Sequence, residues 1–140
     1  YTLMLYAARS YLDEVGTPGR PGDLAQGHRL VGYISDLIYA PELDYLNEIH
    51  PGLTATAKSS SIVAQLRLIS GGAGIGVLPF FMGNREEDLV PVLPDLQIRR
   101  SFWIVTHKDT HRLEKVRYLS NWLTAKVQED RTVLEPGPGG

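Results

Sequence analysis

Cysteine is absent from this 140-residue chain, which excludes disulfides, thiolate metal sites and cysteine nucleophiles. Strong charge of either sign is also missing. Fourteen Lys and Arg face sixteen Asp and Glu, a formal net charge of -2. Affinity for nucleic acid comes largely from neutralising phosphates, and here the basic residues are scattered, the pair Arg99-Arg100 lying beside a strand-like run. No apolar run reaches the ~18 to 20 residues of a membrane span, and the longest, near 75–82, is broken by Gly76 and Pro79. There is no pattern of a secretory signal. The chain opens on Tyr1 inside an apolar run without an initiator Met, and is expected to be a piece of a longer protein.

What is present suits a globular domain: 43% hydrophobic and 21% charged residues, ordinary proportions for a chain able to bury its own core. Strands are expected at 2–7, 29–34, 53–57, 75–79, 89–93 and 102–106. Between them, helices or turns are expected at 8–15, 24–26 (capped by Asp23), 41–49, 62–70 and 80–84. Ser59, Ser60 and Ser61 offer N-caps to a helix whose Ile62, Leu66 and Ile69 recur at helical spacing until Gly71-Gly72. A final helix, capped by Asp109 or Thr110, carries Leu113, Val116, Leu119, Leu123 and Val127 in one stripe. Strands alternating with helices of this length predict an α/β layer fold with a mainly parallel sheet.

Each candidate chemistry has a plainer reading beside it. The run Gly71–Gly76 invites a nucleotide, but phosphate-binding glycines follow a strand and open a helix. Here the order is helix, glycines, strand, which suits a helix stop and a tight strand entry. No Gly-x-Ser-x-Gly elbow supports a serine nucleophile. His107, Asp109 and His111 span a predicted strand end and helix start, so their spacing loses the geometry of a helical metal motif, and no metal site or other cofactor is expected. The acids Glu86-Glu87-Asp88 and Glu42/Asp44 read as loop or solvated-face residues and single out no catalytic pair. Trp103, Trp122, Tyr33, Phe80 and Phe81 read as core. The three serines open a helix where a strand ends, a place that suits an anion or carboxylate; the plainer reading is one cap and two solvated hydroxyls.

The ordered set of segments resembles the effector-binding domain of LysR-type transcriptional regulators. Tyr6–Leu12, Gly16-Thr17-Pro18, Pro21–Ala25 and the strand after His28 match its early stretch. Ser59–Gly72 followed by Ala73–Pro79 resembles its helix and glycine turn, and 89–93, 102–106 and 116–123 its closing strands and helix.

The resemblance implies a periplasmic-binding-protein-like (type II) α/β three-layer sandwich, of which this chain holds mostly the second lobe. Residues 1–109 would form that lobe, 110–129 a helix that normally packs on the first lobe, and 130–140 a flexible tail. It implies a ligand pocket at the lobe interface, to which Tyr33, Ser35, Ser59, Ser60 and Ser61 would bring hydroxyls or N–H groups, and Val77, Leu78 and Pro79 an apolar wall. The partner would be a small-molecule effector, an organic acid or other anion. The intact protein would be a cytoplasmic homo-oligomer, dimer or tetramer, reading DNA only through an N-terminal helix-turn-helix outside this chain. It would be no enzyme and would need no membrane. A lobe of a periplasmic solute-binding protein is the alternative.

Overall fold

The computed structural model describes residues 1–37 and 43–137. Its frame is a six-stranded sheet in the order β3-β2-β4-β1-β5, with β6 also paired to β1. The strands are β1 (Thr2–Ala8), β2 (Leu30–Gly32), β3 (Ala57–Lys58), β4 (Ile75–Pro79), β5 (Leu89–Val92) and β6 (Ile98–Arg99). Strands β3, β2 and β4 run parallel, while β1 is antiparallel to β4, β5 and β6. Five strands therefore point one way and β1 alone is reversed. The helices are α1 (Arg9–Val15), α2 (Tyr45–Ile49), α3 (Ile62–Ser70), α4 (Phe80–Gly83), α5 (Glu114–Glu129) and α6 (Arg131–Leu134).

Strand β1 is buried along its whole length. A half-solvated strand would alternate, so its uninterrupted apolar run matches a strand covered on both faces. Its partner β4 is equally buried, with Leu5 opposite Val77 and Met4 opposite Leu78. The glycines between α3 and β4 allow close approach of backbone and helix. At Gly74, φ is +156° and a Cβ would lie 2.3 Å from the carbonyl oxygen of Arg29; at Gly76 a Cβ would lie 2.6 Å from Ile69 Cδ1. Ile69, wholly buried, thus rests directly on β4. These glycines serve packing, and the chain runs helix, glycines, strand as their order in the sequence predicts.

Several expectations are corrected. Asp23 does not precede its turn but sits inside a 3-10 turn at Pro21–Ala25, where its carboxylate accepts from the backbone N–H of Gly19 and Arg20 and pairs with the Arg20 guanidinium at 2.9 Å. The strand expected at 53–57 shrinks to β3, and β6 was unforeseen. The expected helix at 41–49 is described only from residue 43, its first residues lying outside the described ones. Residues 101–107 adopt no regular structure, although Phe102–Thr106 has strand-like composition. A strand needs a neighbour for its N–H and C=O groups, and among the described residues none stands beside it. Trp103 and Trp122 are not core residues: they are 84% and 49% exposed. The last helix begins at Glu114 behind Leu113, with no side-chain cap from Asp109 or Thr110. The expected tail contains the helical turn α6.

Candidate ligand site

Parallel strands β2 and β3 end together, with Gly32 opposite Lys58, and the chain turns outward from both. Open α/β sheets take ligands outside such carboxyl ends, because the diverging loops leave a crevice there. A cavity of about 190 Å³ occupies this place, lined by Tyr33, Ser35, Asp44, Tyr45, Asn47, Thr54 and Lys58, with Leu43, Leu46 and Leu53 among its apolar lining. Gly32 keeps it tight from below: a Cβ there would come within 3.2 Å of Leu46 Cδ1 and of Ala55 Cβ.

Aromatic and charged groups stiffen one side. The rings of Tyr33 and Tyr45 meet edge to face at 5.8 Å, and the Arg100 guanidinium stands over the Tyr45 ring at 5.7 Å while pairing with Glu48. The amino group of Tyr1 donates to the Arg100 carbonyl at 2.7 Å. Burial pushes the Tyr45 phenol well above its usual range, so it stays protonated at neutral pH. On the polar side, Asn47 Nδ2 donates to Asp44 at 2.7 Å. Among the described residues no carboxylate lies within 4 Å of the Lys58 ammonium.

A larger, more open concavity of about 570 Å³ lies at the opposite sheet edge, walled by Pro18, Pro21, Pro91 and Pro94. Its guanidinium, Arg20, is already closed on Asp23. Among the described residues, that concavity offers Asp95 but no cation without an ion-pair partner, whereas the smaller one offers Lys58.

Of the residues singled out from the sequence, the structure brings Tyr33 and Ser35 into the smaller cavity. Ser59 lies next to Lys58 but its groups are used locally. Its N–H donates to the Gly32 carbonyl at 3.0 Å, its hydroxyl accepts from the N–H of Ser61, and its carbonyl accepts from Gln65 Nε2. Ser61 is the N-cap of α3, accepting from the N–H of Ala64 at 3.4 Å, and Ser60 is exposed. Val77, Leu78 and Pro79 are buried in β4 against β1 and do not line this cavity. Lys58 was not singled out, and Asp44 was read only as a loop or solvated-face acid. A lone lysine after a two-residue strand and an aspartate before a short helix carry no motif, and only the topology joins them. His107 and Asp109 sit 3.4 Å apart in an exposed turn, and among the described residues no group of three or more His, Asp or Glu is placed to hold a metal ion.

The family described as the LysR substrate binding domain matches residues 1–128. This chain belongs to that family. It is an effector-binding domain of the LysR type, with a periplasmic-binding-protein-like α/β fold. The regulatory domain of CrgA from Neisseria meningitidis, a LysR-type transcriptional regulator, superposes with a TM-score of 0.65 at 19% identity, over 90% of this chain and 65% of that one. The CrgA structure itself gives 0.64 at 20%, over 89% and 44%. The regulatory domain of AphB from Vibrio vulnificus, treated with cumene hydroperoxide, gives 0.62 at 21%, over 89% and 64%. The chain thus spans under two thirds of these relatives, whose likeness is one of fold. No curated protein matches it.

Proposed function

We propose that this chain is the ligand-sensing part of a LysR-type transcriptional regulator acting in the cytoplasm. Residues 1–109 form the second lobe of the sensor, 110–129 the helix that packs on a first lobe, and 130–140 a tail. The observation that carries this reading is the cavity at the ends of β2 and β3, with Tyr33 and Ser35 in its wall. Ser59, Ser60 and Ser61 follow Lys58 in the chain and Val77, Leu78 and Pro79 lie in β4; none of the six lines the cavity. The effector is a small organic acid or other anion, bound without covalent change.

Binding works through differential affinity for two relative lobe positions, which shifts a population. In a dimer or tetramer that shift re-spaces DNA-binding heads that lie outside this chain. The large apolar face around Trp103 and α5 supports the reading, since it suits a first lobe. No helix among the described residues is long and apolar enough to cross a membrane.

The alternative, a lobe of a periplasmic solute-binding protein, parts from this reading in the gene. Codons for a basic helix-turn-helix upstream of Tyr1 are the expected finding. A signal peptide there would overturn the regulator and leave the binding lobe.

A further inference from the structure

Asp44 and Lys58 line one cavity of about 190 Å³ yet do not pair with each other. A volume of that size is small beside the ~300–1,000 Å³ of pockets for drug-sized ligands. Lys58 offers an ammonium without an ion-pair partner among the described residues. Asn47 engages one oxygen of Asp44, which leaves the other oxygen for a ligand. The cavity thus has one lining residue of each charge, not paired with the other, and an occupant that answers both carries both signs. A simple anion would satisfy Lys58 but would leave Asp44 facing a like charge, a repulsive element that discriminates against it. The remaining lining sets the apolar Leu43, Leu46 and Leu53 beside the hydroxyls of Ser35 and Thr54, and the leucines suit a short aliphatic group.

We propose that the cavity between Lys58 and Asp44 binds a small zwitterion, an α-amino acid with a short aliphatic side chain, its carboxylate on Lys58 and its ammonium on Asp44. This rests on the effector-binding reading of the cavity but departs from its simple anion: the carboxylate is kept and an ammonium is added.

The test uses the 140-residue chain, isotope-labelled, with backbone amide shifts followed as ligand is added. The probes are L-valine, its hydroxy-acid counterpart α-hydroxyisovalerate, and L-valine methyl ester. L-valine is expected to shift the amides of Ser35, Gly52 and Lys58 and to bind at least about tenfold tighter than either counterpart, the loss of one charge-assisted contact. Asp44→Asn should remove the preference for amine over hydroxyl, and Lys58→Met the preference for acid over ester. A purely structural role for either side chain would weaken all three probes alike. Binding of the hydroxy acid as tightly as L-valine would overturn the zwitterion and leave an anion-binding site standing. Silence of these amides with all three probes would overturn the cavity as a ligand site altogether.

Discussion

Tyr6 lies at the centre of β1, 2% exposed, with a hydroxyl that finds no hydrogen-bond partner among the described residues. Its ring passes directly under Gly83, where a Cβ would sit 2.4 Å away. A buried hydroxyl without a partner costs more than it returns. Tyr6→Phe is therefore expected to leave stability within about 1 kcal/mol of the parent chain, or to raise it, as measured by urea unfolding. A loss of several kcal/mol would mean that the hydroxyl is satisfied after all. Burial also pushes the Tyr6 phenol up to about 12 from its ordinary 10.0. A raised pKa in the folded state stabilises fully below the unfolded value, and that contribution is lost as pH climbs through the folded one. Stability should fall between about pH 10 and 12, and the fall should be shallower in Tyr6→Phe. Gly74 gives the opposite result. Its φ of +156° and the Arg29 carbonyl 2.3 Å from any Cβ combine backbone strain with a clash, so Gly74→Ala should cost roughly 3 kcal/mol or more. At Gly16, φ is +96° with open space around it, and the same change should cost only about 1–2 kcal/mol. From sequence, Gly71–Gly76 could be read as packing glycines because the element order excluded a phosphate loop. That Gly74 meets the Arg29 carbonyl, from a distant part of the chain, was not legible.

Among the elements, α3 and β4 were readable because their signals are local and agree. Serines precede a helical apolar period, glycines close it, and an apolar run ending in Pro79 comes next. The cap itself is testable. Ser61→Ala removes the acceptor for the Ala64 N–H and should cost about 1 kcal/mol. Ser60→Ala, at an exposed neighbour, should cost almost nothing by the same unfolding measurement, and equal effects would place the cap elsewhere. Where local signal and partner part company, the sequence misleads. Phe102–Thr106 has the residues of a strand, but its ladder partner is not among the described residues, and Phe102 instead stacks on Tyr1 at 4.3 Å. β6 escaped notice for the complementary reason: two residues, Ile98 and Arg99, pair with Thr2 and Leu3 through backbone bonds that any side chains could make. Half of the candidate site was visible in the same way. Tyr33 and Ser35 end a legible strand, whereas Lys58 reaches the cavity through the parallel pairing of β3 with β2 and Asp44 through the packing of Leu46 of α2 against Gly32.

At the scale of the whole molecule, the packed body and the C-terminal part differ in kind. The core residues run from Leu3 to Ile98, and α5 buries none of its side chains. Phe102, Trp103, Ile104 and Val105 are between 51% and 88% exposed, and Leu119, Trp122 and Leu123 on α5 are exposed as well. Burying each such side chain is worth about 1.5–3 kcal/mol. The relatives, longer than this chain by a third or more, have chain to spare for covering it. In the isolated chain both tryptophans should therefore emit as solvated indoles and quench freely with acrylamide, whereas a shielded emission at low concentration would show the face already covered. The stability of the body should depend little on the residues after Phe102. A chain ending there keeps the six strands, α1 to α4 and the Tyr1–Phe102 stack, and gives up α5 and the contact of α6 with α4. Its unfolding should remain cooperative, with a midpoint within about 8 °C of the full chain, equivalent to about 1 kcal/mol for a body of this size. Ile69→Ala in the same truncated chain should cost about 2–5 kcal/mol by opening a cavity above β4. If truncation instead unfolds the body while Ile69→Ala is tolerated, the core lies against α5 and the division at the end of the sheet is wrong.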